Sequence, residues 1–337
     1  MICKSKIYKQ EIFWKSVEKY ENKIYNNKKF IFLLLHFYRK DKNMYKLIAI
    51  DLDGTMLNTY GEVTESTKRI LKETIKKGSE VVIASGRTID SIQAIANEIG
   101  CNNYMIAGNG AIIYDMSKNN IIYEKYIPKS KALNIIKICE ENSITYSVYT
   151  NKTIVANSLK YNILYYYKQN LKKQPNKKTS ITLVQNIYDY VKNIEDEKVM
   201  KIFICDNTQS VFNSILRKIR ELDDVEILDV SHMSRKVISN GSEEIALEYF
   251  YTEITEKDVD KWYALEYLIN KLNINKSEVI AIGDNINDKK MIEQAGVGIA
   301  MKNSTSKITK IANYVTEFDN NNDGAARAIE TILEGEI

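Results

Sequence analysis

Asp51-Leu52-Asp53-Gly54-Thr55 directly follows the apolar run Leu47-Ile48-Ala49-Ile50. A short, continuous apolar run of this kind reads as a strand buried on both faces. Its carboxyl end then carries two carboxylates, two residues apart, beside a Gly-Thr turn. In open α/β sheets the carboxyl ends of the strands are where ligands bind. One short loop there offers a nucleophile, a proton donor and oxygen donors for a hard cation.

Outward from this loop, strands and helices alternate. Residues 64–77 have the pattern of a helix, with Gly78 just past its end. Residues 80–84 read as a second buried strand. A helix with Ile89, Ile92, Ile95, Ala96 and Ile99 on one face follows and stops at Gly100. A third strand, 104–107, leads into Gly108-Asn109-Gly110. Strands separated by helices predict an α/β fold with a Rossmann-like parallel sheet and right-handed crossovers.

The pattern changes after about Pro128. A helix at 131–142, paired strands at 144–150 and 153–156, and a Tyr-rich helix at 159–171 come first. A strand at 199–205, a helix at 209–222 and strands near 225–230, 235–239 and 244–251 follow. Neighbouring strands with short turns predict an inserted α+β domain, an antiparallel sheet faced by helices. The run Tyr165-Tyr166-Tyr167 and the lysines around Pro175 read as core and solvated loop of that insertion, with a substrate cradle as the alternative. Alternation resumes with a helix at 260–272, a strand at 278–282 and a helix at 286–294. Brief strands at 297–300 and 314–316 and a helix at 324–333 end the chain. The expected division is a core domain of residues 44–127 and 255–337, and an inserted domain of residues 128–254.

The 337 residues, 44% of them hydrophobic, suffice for two domains or for one with a large insertion. The net charge of +4 is uneven: residues 1–43 carry 11 Lys/Arg against 4 Asp/Glu, the other 294 carry 37 against 40. The basicity therefore belongs to an N-terminal extension, and the folded body gives no sign of a nucleic-acid partner. Phe13, Val17, Tyr20 and Ile24 have helical spacing, so a basic amphipathic helix is one reading of residues 1–43. The other is that the working protein starts at Met44 and the extension has no function. The apolar stretch from Phe30 to Tyr38 is shorter than the roughly 20 residues that span a bilayer. No small-residue cleavage site follows it, and no integral membrane association is expected. Cys3, Cys101, Cys139 and Cys205 form no C-x-x-C pair, and His36 and His232 lie far from the acidic motifs. This argues against zinc and against Ser-His-Asp or Cys-His catalysis, and for a reduced, cytoplasmic protein.

Four stretches, each closing a strand or opening a helix, carry the chemistry. They are Asp51 to Thr55; Ser85-Gly86-Arg87 after the second strand; Lys261, or alternatively Lys257, at a helix start; and Gly283-Asp284-Asn285-Ile286-Asn287-Asp288 after the strand Val279-Ile280-Ala281-Ile282. Singly, each is a common turn or helix-start sequence. Together, in this order and at strand tips, they are the parts of phosphoryl transfer. One carboxylate attacks phosphorus and another moves the proton. Acidic oxygens suit Mg²⁺. A hydroxyl, backbone amides and a lysine neutralise the transferred group.

This set resembles the haloacid dehalogenase (HAD) superfamily of phosphohydrolases, over essentially residues 44–337. The insertion resembles the α+β cap of the Cof-type branch, subfamily IIB. The resemblance implies Asp51 as nucleophile, Asp53 as general acid/base, and Ser85, Gly86 and Lys261 as phosphate-binding groups. It implies Mg²⁺ held by Asp51, the Asp53 carbonyl and Asp284. Asn287 and Asp288 would order that site, with Thr55 and Arg87 in support. The Asn109-Gly110-Ala111 turn would lie near the substrate, a small phosphorylated metabolite such as a sugar phosphate or a phosphorylated cofactor. Lys261 fits the family's Lys-Gly-x-Ala-Leu pattern better than Lys257 does, although Trp262 stands where the family has glycine. A phosphomutase on the same fold and a non-catalytic phosphometabolite-binding protein are the alternatives.

Overall fold

A computed structural model describes residues 45–171, 173–175, 178–228, 234–240 and 243–334 of the chain. The readings of residues 1–43 and of Met44 lie outside them.

The first sheet has eight strands. They are β1 (Leu47–Ile50), β2 (Glu80–Ala84), β3 (Tyr104–Ala107), β4 (Ile112–Asp115), β5 (Asn120–Glu124), β13 (Val279–Gly283), β14 (Val297–Ala300) and β15 (Tyr314–Val315). Their order across the sheet is β15-β14-β13-β1-β2-β3-β4-β5. The six strands from β15 to β3 run parallel. β1 is central, and Ile48, Ile50, Val81 and Ile83 point to the opposite face from Leu47, Ala49, Val82 and Ala84. Helices α1 (Glu65–Lys76), α2 (Ile89–Ile99) and α10 (Gly324–Glu334) cover the first set. Helices α7 (Lys261–Lys271) and α8 (Lys289–Gln294) cover the second, and the short α9 (Ser306–Thr309) packs beside them through Ile308. Burial on both faces is why these strands read as unbroken apolar runs.

The second sheet contains β6 (Thr145–Thr150), β7 (Ile154–Ala156), β8 (Ile181–Leu183), β9 (Val199–Asp206), β10 (Val225–Ile227) and β12 (Glu243–Glu256), in the order β10-β12-β9-β6-β7-β8. β11 (Ser234–Asn240) pairs with the first half of β12. Helices α3 (Lys129–Glu141), α5 (Ile187–Asn193) and α6 (Gln209–Arg220) cover one face, packing on Val148, Ile202, Ile204 and Ile254. Alternation sends Tyr149, Phe203, Cys205 and Tyr249 to the other face. That face, with α4 (Tyr161–Leu171) at its side, is continuous with the core of the first sheet.

Four details depart from the sequence-based expectation, the first being helix α5, which forms between residues 171 and 199 where no helix was expected. β4 and β5 extend the first sheet antiparallel at one edge, where no strands were expected. Their turn is tied by Asp115, which accepts from the Ser117 hydroxyl (2.6 Å) and the Lys118 amide (3.1 Å). β8 joins the second sheet parallel to β7, so that sheet is mixed rather than purely antiparallel. The strand expected at 244–251 runs on to Glu256, because its second half pairs with both β9 and β10. No helix among the described residues is long and apolar enough to cross a membrane.

Candidate active site

β1 and β13 are neighbours in register, so their carboxyl ends set Asp51 beside Asp284. The Asp51 amide still donates to the Ile282 carbonyl, 3.0 Å. The chain then turns sharply: the amides of Thr55, Met56 and Leu57 all return to the Leu52 carbonyl, at 2.9–3.3 Å. Gly54 has φ +84°, and a Cβ there would stand 2.5 Å from Asp284 Oδ2. Only glycine lets the loop close against that carboxylate. The Thr55 hydroxyl donates to Asp284 Oδ1 at 3.1 Å.

Lys261 opens α7, whose N-cap Asp260 accepts from the Tyr263 amide at 2.9 Å. The Lys261 side chain is fully buried, with Nζ 2.5 Å from Asp51 Oδ1 and 2.6 Å from Asp288 Oδ1. The other Asp288 oxygen accepts from the amides of Asp284 and Asn285, 3.0 Å each. Asp288 thus holds the loop after β13 and the lysine together. Lys257 instead pairs with Asp224 on the surface at 3.3 Å. Trp262 lies inside α7 with its ring buried and Lys276 Nζ 4.9 Å from the ring centroid. A helical position needs no glycine, and the substitution leaves Lys261 in place.

Carboxylate oxygens of Asp51, Asp284 and Asp288 all lie within 4.8 Å of one another. Burial pushes Asp51 up to about 7; Lys261 opposes this and Asp288 adds to it. Burial, then the charges of Asp51 and Asp288, holds Asp284 well above the usual carboxylate range. Burial disfavours the Lys261 charge, but the carboxylates of Asp288 and Asp51 outweigh it and raise its pKa. Three carboxylates against one ammonium leave two negative charges when all are ionised. A divalent cation with oxygen preference matches both that charge and the donor set.

The second strand tip lies alongside. Ser85 is buried, its amide donates to Ile106 (2.9 Å), and its carbonyl accepts from Asn109 N (3.0 Å). Arg87 grips Asp53 with two hydrogen bonds, Nε to Oδ2 at 2.8 Å and Nη2 to Oδ1 at 2.6 Å. Asn109, at φ 57°, accepts from Asn287 Nδ2 at 3.2 Å. The structure therefore gathers Asp51, Thr55, Lys261, Asp284 and Asp288 into one cluster. Ser85, Gly86, Arg87, Asn109 and Asn287 stand beside it, and Asp53 turns toward Arg87.

Several neighbours of this site escaped the sequence reading. Lys201 of β9 and Glu253 of β12 form a 2.6 Å ion pair, and Glu253 also accepts from the Asn109 side chain. Burial raises the Tyr165 and Tyr166 pKa values, with the Asp53 charge adding and Arg87 opposing. Burial, with the Glu253 charge adding, pushes Tyr251 up to about 12, against its hydrogen bond to Asn285. The one legible signal was Lys201 itself, a lysine inside the apolar run Val199–Ile204.

A parallel α/β sheet with an acidic cluster and a buried lysine at its strand tips defines an enzyme of the class that handles anionic groups beside a cation. The chain belongs to the haloacid dehalogenase-like hydrolases: that family's model matches residues 48–329. Among its relatives is phosphatase YwpJ of Bacillus subtilis, 28% identical, covering 86% of this chain and all of that protein. Another B. subtilis relative, 5-amino-6-(5-phospho-D-ribitylamino)uracil phosphatase YcsE, is 25% identical over 84% of this chain and 94% of its own length. A haloacid dehalogenase-like hydrolase of Bacteroides thetaiotaomicron has a similar crystal structure, with TM-score 0.66, 26% identity, and coverage of 86% and 99% of the two chains. The fold is shared with the subclass IIB sugar phosphatase BT4131, at TM-score 0.65, 20% identity and coverage of 85% and 98%.

Proposed function

We propose that this protein is a Mg²⁺-dependent phosphatase. It hydrolyses small phosphorylated metabolites, sugar phosphates or phosphorylated cofactors, through an aspartyl phosphate on Asp51. The observation that carries this reading is the contact of the fully buried Lys261 ammonium with Asp51 at 2.5 Å, inside the Asp51-Asp284-Asp288 cluster. A carboxylate held against a cation and a candidate metal site is poised to meet a phosphoryl dianion.

Asp51 and Asp284, with the Asp53 carbonyl, would hold Mg²⁺, which when bound neutralises charge on the phosphoryl oxygens. Ser85, the Gly86 backbone and Lys261 bind those oxygens. An Asp51 carboxylate oxygen attacks phosphorus in line, the bond to the leaving oxygen breaks, and Asp53 gives that oxygen its proton. Asp53 then takes a proton from water, the water oxygen attacks phosphorus, and Asp51 and inorganic phosphate are released. Arg87 holds Asp53 in the form that accepts two hydrogen bonds. A phosphate dianion competes for the same guanidinium fork, and Asp53, released from it, takes up from solvent the proton that it gives to the leaving oxygen. The second sheet acts as a cap over the site, with residues 128–254 as the inserted domain.

The test is phosphate release from a metabolite panel, with and without EDTA, on wild type and Asp51→Asn. The panel includes sugar phosphates, pyridoxal phosphate, flavin mononucleotide and a phosphoribityl compound like the one in the YcsE name. Turnover in Mg²⁺ that EDTA abolishes, lost by about 10³-fold or more in folded Asp51→Asn, is the expected result. Retained Mg²⁺-dependent hydrolysis in that variant overturns the assignment. Dependence on a bisphosphate activator with little net release would instead mark a mutase, and binding without turnover a sensor.

A further inference from the structure

Lys201 is 3% exposed, deep in the second sheet, with its ammonium 2.6 Å from Glu253 and 4.6 Å from the centroid of the Tyr149 ring. A Cβ built on Gly86 would stand 3.1 Å from that ammonium and 2.8 Å from Asn109 Oδ1. The lysine of one sheet therefore touches the Ser85-Gly86-Arg87 loop of the other. Glu253 is opposite Phe203 in the β9–β12 ladder, so Lys201 is its diagonal neighbour on the same face. The Glu253 carboxylate bridges two partners from different sheets, Lys201 and the Asn109 side chain. An ammonium has three donors, and Glu253 takes one.

Building on the phosphatase reading, we propose that Lys201 is a second phosphate-binding lysine, carried by the cap, and that Glu253 is the residue that positions it. Glu253 seats the second sheet on Asn109 and in doing so sets the Lys201 ammonium against the Gly86 backbone, where a phosphoryl oxygen is bound. Lys261 neutralises the attacking side of the site from within the core, and Lys201 neutralises the phosphoryl group from the opposite sheet. The second charge is present only when the two sheets are in contact. A Cβ on Gly86 would crowd the Asn109 side chain first, at 2.8 Å, and then the Lys201 ammonium, at 3.1 Å.

The test uses full-length protein with Mg²⁺, p-nitrophenyl phosphate as substrate and inorganic phosphate as product inhibitor. Lys201→Met, Lys201→Arg and Glu253→Gln are compared with Lys198→Met, whose exposed side chain pairs with Glu124. Removing one charge-assisted contact weakens binding about ten- to hundredfold. Lys201→Met is expected to raise the phosphate inhibition constant by that factor and to lower kcat/KM in parallel. Lys201→Arg recovers most of both, Glu253→Gln gives a smaller shift in the same direction, and Lys198→Met gives none. Folding of each variant is checked by near-UV circular dichroism. A folded Lys201→Met variant that keeps the wild-type inhibition constant, in an enzyme whose wild type turns over, overturns the role of Lys201 and leaves the phosphatase reading standing; where Lys201→Met does not fold, an unchanged constant in folded Glu253→Gln does the same. A wild type that neither hydrolyses phosphomonoesters nor binds phosphate overturns both.

Discussion

Asp53 meets the Arg87 guanidinium through two parallel hydrogen bonds, although more than half of the Asp53 side chain is exposed. An exposed carboxylate usually keeps its rotamer freedom; a planar fork removes it. Lysine at position 87 would keep the charge and lose the fork. Arg87→Lys is expected to lower kcat about tenfold, the scale of one charge-assisted hydrogen bond, with the fold intact. Steady-state kinetics on p-nitrophenyl phosphate checks this, and an unchanged kcat would show that the fork contributes to turnover neither through Asp53 nor through the phosphate. At this scale the sequence was most legible where chemistry is local. Asp51, Asp53 and Asp284 follow apolar strands directly, so their place at the sheet edge could be read without knowing the sheet order. Lys201 and Glu253 lie 52 positions apart, and their pairing depends on the β9–β12 register, which no local pattern states.

Helix α7 links the residue to the frame. Its N-cap Asp260 accepts from Tyr263 N at 2.9 Å and pairs with Lys290 of α8 at 2.6 Å. The next residue is Lys261. A carboxylate at this end also favours the helix dipole. Asp260→Ala is expected to cost about 1 kcal/mol of stability, the usual value of an N-cap, and to lower kcat as the first turn frays and Lys261 loses its fixed position. Urea unfolding together with kinetics measures both effects, and a stability loss without any change in kcat would separate the cap from the lysine. The elements themselves were legible in proportion to their periodicity. β1, β2, β3 and β13 are apolar runs buried on both faces, and each was read within a residue or two of its observed bounds. β5 has no buried residue, and β8 has three residues and none buried, so neither leaves an apolar signature. Their strand character comes from the neighbours they pair with, β4 and β7.

At the scale of the whole molecule, the two sheets bury their cysteines separately. Cys101 lies beside the first sheet and its thiol donates to the Val81 carbonyl at 2.9 Å. Cys139 is in α3 and Cys205 in β9, both within the second unit. All three are buried. Burial, with the nearby Glu80 charge adding, pushes Cys101 up to about 12. Burial likewise raises Cys139, helped by Glu140, and Cys205, helped by Asp206. A thiol alkylates as its thiolate. Raised pKa values keep these groups protonated at neutral pH, and burial keeps reagent away as well. Native protein treated with iodoacetamide at pH 7.5 is therefore expected to leave Cys101, Cys139 and Cys205 unmodified in intact and peptide mass spectra, while unfolded protein labels them all. The same three thiols report on coupling between the sheets. Asn109 with Glu253, and Lys290 of α8 with Glu226 of β10 at 2.9 Å, cross from one unit to the other, and one apolar cluster continues across the boundary. Contacts of that kind couple the two units, and joint unfolding is the outcome they predict. In a urea series, Cys101 should lose protection at the same midpoint as Cys139 and Cys205. Labelling of Cys139 and Cys205 at distinctly lower urea would show that the second sheet opens independently, and that its seat on Asn109 is weak even without substrate.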